Sequence, residues 1–219
     1  MDAFEKIKVS LWDIFTFFLS GFVLFLLIIS LCHHYGYISF FVVIQFLKDA
    51  SAGFYLLLVP FGFTAIGMLL EPFSNYFDRY LLGPMYNVFH KSRRGSSKDD
   101  EEIVKVIKEN YLGLLSGKIN NPYHLCKEYV EAKQLSSTFM VYLSRFGFYR
   151  NAALLSFVLF IVSSFDTYNC FSGISISLMF LSFSAMYIFK RRSAEFYSYQ
   201  APAIYSAFLI DKMKWVRET

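Results

Sequence analysis

The sequence predicts an all-α, polytopic membrane fold: four transmembrane helices carrying a small helical cytosolic head. Three observations point to it. Only 17% of the 219 residues are charged and 56% are hydrophobic, with 27 Phe and 16 Tyr, whereas a typical soluble domain carries about 25% charged residues. No Lys, Arg, Asp or Glu falls between Asp13 and Lys48 or between Asp49 and Glu71. The polar stretch from Glu71 to Arg150 repeats its apolar residues at helical spacing, and nothing in the chain alternates with the period of a strand.

Residues 1–70 read as an N-terminal membrane hairpin with spans at about 14–32 and 50–70. A run of that length rises about 1.5 Å per residue and nearly matches a hydrocarbon core of about 30 Å. Lys6 and Lys8 precede the first span, which is too long for a cleaved leader and has no small-residue cleavage site, so it is expected to stay as a signal anchor. Ile38–Leu47 is too short to cross and is expected to lie along the outer interface. In the second span Pro60 is expected to produce a kink, and Pro60, Gly62 and Gly67 are candidates for close packing, a hinge or a cavity wall.

Residues 71–150 form the expected cytosolic insert. Phe73, Tyr76, Phe77, Tyr80 and Leu81 make an aromatic stripe ending at Gly83 and Pro84. The loop-like HKSRRGSSKDD follows. Its Lys91, Arg93, Arg94 and Lys98 suit an anionic lipid surface, RNA phosphates or plain solvation. Acids at 99–102 open an amphipathic helix through Ile103, Ile107, Tyr111, Leu114 and Leu115, closed by Gly117. Asn120 or Asn121 with Pro122 opens another, with Leu125, Tyr129 and Val130 on its apolar side.

Residues 151–189 form the C-terminal membrane hairpin. Arg150 is expected to reach back to the headgroups, with Phe146, Phe148 and Tyr149 in the interfacial zone. Ser156 and Ser163 on one span, Ser177 and Ser184 on the next, pack the bundle or line a pore between subunits. The tail, 190–219, begins with Lys190, Arg191 and Arg192, extends the cytosolic basic patch and continues as helix, interrupted by Pro202. Of 21 Lys plus Arg, only Lys48 falls in the His33–Asp49 loop or the Phe165–Gly173 turn. The positive-inside rule then places both termini and the insert in the cytoplasm, around a multi-pass membrane anchor.

Cys32 and Cys170 share the outer side and are a candidate disulfide, the alternative being two unrelated thiols. Phosphate-loop, HExxH, GxSxG and CxxC patterns are missing from the sequence. No metal site, cofactor or catalytic residue is therefore assigned, and His33 and His34 read as interfacial. Direct nucleic-acid binding stays open.

Trp12, Asp13, Ile14 and Phe15, followed by Leu19, Ser20, Gly21 and Phe22, form an Asp, aromatic and Gly opening to the first span. With four spans and a charged helical insert, this layout resembles the membrane accessory proteins encoded beside type VI CRISPR nucleases and related phage-defence loci. The resemblance implies a non-enzymatic effector or regulator of antiviral defence, homo-oligomeric, forming a pore or engaging a cytosolic protein or the RNA-guided nuclease itself. No Arg precedes a His by four to six residues, which disfavours RNA cleavage. Two other readings stand beside it. One is a membrane enzyme acting on lipid or nucleotide through Glu71, Asp78, Arg79 and His90, and the other is a scaffold recruiting a cytosolic partner.

Overall fold

The computed structural model describes residues 11–51, 53–55, 59–89, 98–113, 117–119, 121–133, 135, 137–169 and 171–213. Among them every regular element is helical: α1 (Leu11–His34), α2 (Phe40–Asp49), α3 (Val59–Phe77), a π-helical turn (Asp78–Leu82), α4 (Gly83–Phe89), α5 (Lys98–Tyr111), α6 (Tyr123–Ala132), α7 (Ser137–Asn169), α8 (Gly173–Ser198) and α9 (Gln200–Lys212). Three stretches are long and apolar enough to cross a membrane, Thr16–His34, Thr138–Asn169 and Gly173–Lys212. The fold is thus all-α with membrane-spanning capacity. The chain divides into two compact units, Met1–Phe89 with Ser144–Ser193 and His90–Leu143 with Ala194–Thr219. The limits expected from charge at 70, 150 and 189 differ from these because Glu71, Arg150 and Lys190 are drawn into the first unit.

In the first unit α1 and α3 run antiparallel at very short range. A Cβ added to Gly21 would overlap the Phe63 carbonyl oxygen, and one added to Gly67 would overlap the Phe17 carbonyl oxygen. Small residues let apolar helices bring their backbones together where water offers no driving force. Around this crossing the Phe63 ring meets Phe18, Phe22 and Phe25 at 5.6, 5.4 and 5.2 Å. Gly36, at φ 76°, ends α1: Tyr37 N–H reaches Cys32 O at 2.8 Å and Gly36 N–H reaches His33 O at 3.0 Å, the six-to-one and five-to-two bonds of a Schellman cap. Helix α2 follows, capped by the Ser39 hydroxyl accepting from Phe41 N–H, with Phe41, Val42 and Phe46 exposed.

Helix α7 runs parallel to α1. Thr16 donates to Ser144 O at one end, and Tyr35 and His34 reach Asp166 at the other, at 3.2 and 3.1 Å. Helix α8 returns antiparallel, with Tyr149 beside Phe189 and Phe160 beside Phe183 at 6.1 and 5.4 Å. Two apolar layers fill the interior: Leu70, Leu154 and Leu155 with Leu24 and Leu27, and Leu82, Ala153 and Met186 with Phe77, Phe157 and Phe189.

Several expectations change here. Helix α3 does not stop at Leu70 but carries Glu71 and the interior Pro72 as far as Phe77. Pro60 stands directly after residues 56–58, which lie outside the described residues, and the proline inside the described part of α3 is Pro72. Nor does the aromatic stripe end at Gly83. The chain widens into the π-helical turn, where Gly83 N–H bonds to Asp78 O, and continues as α4. Pro84 explains the widening, since its ring would collide with the carbonyl four residues back in a regular helix. Within the expected span 50–70, residues 52 and 56–58 lie outside the described residues.

The second unit is built from α5, α6, α9 and the first residues of α7. Its core is Ile107, Cys126, Val130, Phe139, Ile204, Tyr205, Phe208 and Leu209. Helix α5 ends at Tyr111, with Gly113 at φ 49°, earlier than Gly117. Asn121 Oδ1 accepts from Tyr123 N–H and opens α6, whose inner face is Cys126 and Val130, while Leu125 is exposed. Pro202 sits in the first turn of α9, and its clash with the Ser198 carbonyl accounts for the end of α8 there.

Candidate functional site

The chemistry of the first unit concentrates on one face of α3. Glu71, Ser74, Asn75 and Asp78 stand at i, i+3, i+4 and i+7, the spacing that puts four side chains on one helical stripe. Facing them is Arg150, only 5% exposed in the middle of α7. Its guanidinium donates through Nη1 to Asn75 Oδ1 and through Nη2 to Glu71 Oε1 at 3.2 Å. Its flat face lies 4.9 Å from the Phe146 ring centroid, a cation–π contact. The Asp78 carboxylate acts on the same guanidinium electrostatically and receives a direct hydrogen bond from Lys190 Nζ of α8. Two cations and two carboxylates thus tie α3 and its π-helical turn to α7 and α8.

Hydroxyl and amide groups continue the polar layer. Asn151 Nδ2 donates to Ser20 Oγ at 3.3 Å, Thr16 caps the Ser144 carbonyl, and Ser74 and Ser193 are buried beside the ion pairs in sequence. From Asn151 to Asn169, α7 rises about 27 Å, nearly the thickness of a hydrocarbon core. The charged layer therefore closes one end of the apolar part of the bundle. Taking an ion pair out of water is costly, and only good geometry with further hydrogen bonds offsets that cost, which is what Asn75 and Phe146 supply.

Two sequence expectations are overturned at this site. Arg150 does not reach toward headgroups, because Glu71 and Asn75 hold it inward. Lys190 is not part of an exposed basic patch: it is 8% exposed and bound to Asp78, while Arg191 and Arg192 are exposed. Lys91, Arg93 and Arg94 lie outside the described residues, and of Lys98 only the backbone, at the start of α5, is described. Of the four residues considered for an enzyme, Glu71 and Asp78 meet in this network, Arg79 stacks on Tyr80 at 5.5 Å, and His90 lies outside the described residues. The missed residues were Ser74, Asn75 and Asn151. Their signal was the i, i+3, i+4, i+7 polar stripe after Leu70, masked by the aromatic stripe that shares the helix.

The remaining candidates spread through the bundle. Gly67 sits at the α1–α3 crossing, whereas a Cβ at Gly62 would meet nothing within 4 Å. Ser163 is buried at 3% exposure, Ser156 is half-buried, and Ser177 and Ser184 are exposed on α8. Ser177 turns its hydroxyl back to Gly173 O, and Ser182 does the same to Leu178 O, at 2.8 and 2.7 Å. Cys32 is half-buried near the end of α1, and its candidate partner Cys170 lies outside the described residues. Next to Cys32, His33 Nδ1 lies 3.2 Å from Ile38 O, and His34 has the Asp166 partner that sequence spacing could not show. No group of three or more metal-ligating side chains occurs among the described residues.

Within the second unit, the Asp211 carboxylate accepts from Tyr129 Oη–H at 2.6 Å and from Lys133 Nζ at 3.0 Å, while Lys212 lies 4.3 Å from the Tyr129 ring. Burial pushes the Cys126 thiol up to about 11, so it stays a neutral core residue near neutral pH.

No family model, curated protein or solved structure matches the chain.

Proposed function

We propose that the protein is a non-enzymatic, multi-pass inner-membrane effector or regulator that self-associates and alters membrane permeability when a cytosolic partner engages its helical second unit. In this reading four helices cross, both termini face the cytoplasm, and the setting is antiviral defence, as the layout resembling CRISPR accessory proteins suggests. The observation that carries it is the Arg150 network. Ionisable groups inside an apolar bundle are expensive, and where they occur they mark a pathway or a switch. Here they are paired across three helices, so the bundle has a natural second arrangement in which the pairs part. An enzyme at this position is less well supported, because Glu71 and Asp78 are each occupied by a cation.

A voltage-sensitive dye in a bacterial host challenged with phage tests the proposal. Cells carrying the wild-type chain depolarise, and those carrying Arg150→Gln depolarise without challenge or fail to respond. Unchanged potential in wild-type cells under challenge removes the permeability reading.

A further inference from the structure

The end of the first unit away from the Arg150 layer presents large side chains outward. Tyr37, Tyr168 and Phe171 are 81%, 88% and 84% exposed, and Phe46, Phe165 and Ile174 are exposed as well. They come from two places, the stretch that carries α2 and the turn from α7 into α8. The Asp166 carboxylate draws the two together, since the Tyr35 hydroxyl donates to it at 3.2 Å and His34 Nε2 lies 3.1 Å away. Apolar surface gathered in this way marks contact with a protein or a membrane.

Three features favour the membrane. Two candidate spans end at this level, at His34 and Asn169, and a third begins at Gly173. From Arg150 to Asp166 α7 rises about 24 Å, so the level is the second boundary of an apolar layer close to a hydrocarbon core of about 30 Å. The backbone here also satisfies itself. Tyr35 N–H reaches Leu31 O at 3.0 Å, Tyr37 and Ile38 N–H share Cys32 O at 2.8 and 3.2 Å, and His33 Nδ1 lies 3.2 Å from Ile38 O. In the other turn Ser172 Oγ accepts from Ser175 N–H and Ser172 O from Ile176 N–H, both at 3.1 Å. Water would serve these groups equally well, whereas irregular backbone beside hydrocarbon must find its partners internally. Charge, finally, is scarce. His33–Asp49 and Phe165–Gly173 together hold one Lys and two Asp, and Asp166 is engaged by Tyr35 and His34.

Helix α2 has the matching pattern. Val42 and Phe46, at i and i+4, share one stripe, and Gln45, Lys48 and Asp49, at i, i+3 and i+4, share another. At 10 residues it is too short to cross and suits the plane of the membrane surface. Sequence alone places only α2 there; the turn and the Asp166 clasp come from the fold.

We propose that α2 and the α7–α8 turn form a single lipid-seated collar. Val42, Phe46 and Phe171 enter the outermost acyl region of one leaflet, and Tyr37 and Tyr168 sit among its headgroups, where aromatic rings settle. The ligand is zwitterionic phospholipid, because the collar offers almost no cation to an anionic headgroup. Through the clasp α7 holds α2 at the surface. The collar goes beyond the proposed permeability function and does not depend on it.

Tryptophan quenching by brominated lipid tests this. The full chain carries Trp12→Phe and Trp215→Phe, then one of Phe46→Trp, Phe171→Trp or Gln45→Trp, in vesicles of phosphatidylcholine brominated near the headgroup end or near the methyl end of its acyl chains. Phe46→Trp and Phe171→Trp are expected to lose more emission to the shallow bromine than to the deep one. Gln45→Trp is expected to lose little to either and to be quenched by aqueous iodide. No quenching by either lipid at both 46 and 171 overturns the collar and leaves this end to water or, if iodide also fails, to a protein neighbour. Stronger quenching by the deep bromine at 46 makes α2 part of a span and overturns its surface position. Adding phosphatidylglycerol is expected to change nothing, and a requirement for it overturns the zwitterionic assignment. Asp166→Ala is expected to abolish the shallow preference at 46 and to keep it at 171, and an unchanged value at 46 overturns the clasp. Two tryptophan positions on separate elements keep the test intact if one variant fails to insert.

Discussion

At Arg150 a guanidinium with little solvent contact relies on Glu71 and Asn75 for its partners, so truncating it strands a carboxylate. Arg150→Ala is expected to lower stability by about 1–3 kcal/mol, the cost of hydrogen bonds to a charged group, since the Glu71 side chain left behind is 41% exposed and can be hydrated. Replacing both partners, Arg150→Met with Glu71→Leu, recovers most of that loss, because no charge is left unpaired. Unfolding by sodium dodecyl sulfate titration in bicelles reads both values, and equal losses in the two proteins would show that packing, and not charge pairing, dominates. Cys126 gives a second residue-scale prediction. Its thiol, raised from 9.0 to about 11, is protonated at neutral pH in the folded chain. N-ethylmaleimide at neutral pH should leave it unmodified until denaturant is added, since the thiolate is the nucleophile. The contribution of this neutral thiol to stability is fully present below pH 9 and is lost as pH rises from 9 through about 11, because the unfolded thiol ionises first.

Between elements, α1 and α3 cross backbone to backbone at Gly21 and Gly67. Gly67→Val drives a branched side chain into the Phe17 carbonyl, where only backbone movement could make room. The helices are expected to separate, costing at least the 1–3 kcal/mol typical of overpacking, whereas Gly62→Ala, with open space around it, is expected to be near neutral. Thermal aggregation in detergent distinguishes the two. The π-helical turn has a similar role for α3 and α8, since it sets where Asp78 meets Lys190. A double-mutant cycle with Asp78→Asn and Lys190→Gln should return a coupling of about 0.5–3 kcal/mol, and additive losses would mean the pair contributes nothing of its own.

For the whole molecule, the placement of Lys and Arg predicts sidedness. Alkaline phosphatase fused after the C-terminal residue should be inactive, and green fluorescent protein at the same place should fluoresce. The reverse pattern would invert the orientation expected from the positive-inside rule. How much of the fold was legible follows the same divide between long and local signals. The uncharged runs announced α1, most of α8 and the membrane class, because length and hydropathy are properties of the chain alone. The amphipathic α5 and α6 were legible from their spacing, as was Asn121 at the opening of α6, although α5 ends at Tyr111 before Gly113 and not at Gly117. Helix α3 was cut short because a charge at Glu71 looks like the edge of a span when its partner, 79 residues away, is unseen.

The sequence by itself determined the all-helical class, the capacity to span a membrane and the helix interruption near Pro202, since hydropathy, helical period and proline sterics act within a few residues. Only the tertiary structure decided that Glu71, Asn75 and Asp78 face Arg150 and Lys190, and that Asp166 serves His34 and Tyr35. An ionisable side chain reads as an end of a span until the fold supplies its counter-charge. What makes it an interior residue is a distance, and that distance depends on helices that are remote in sequence and adjacent in space.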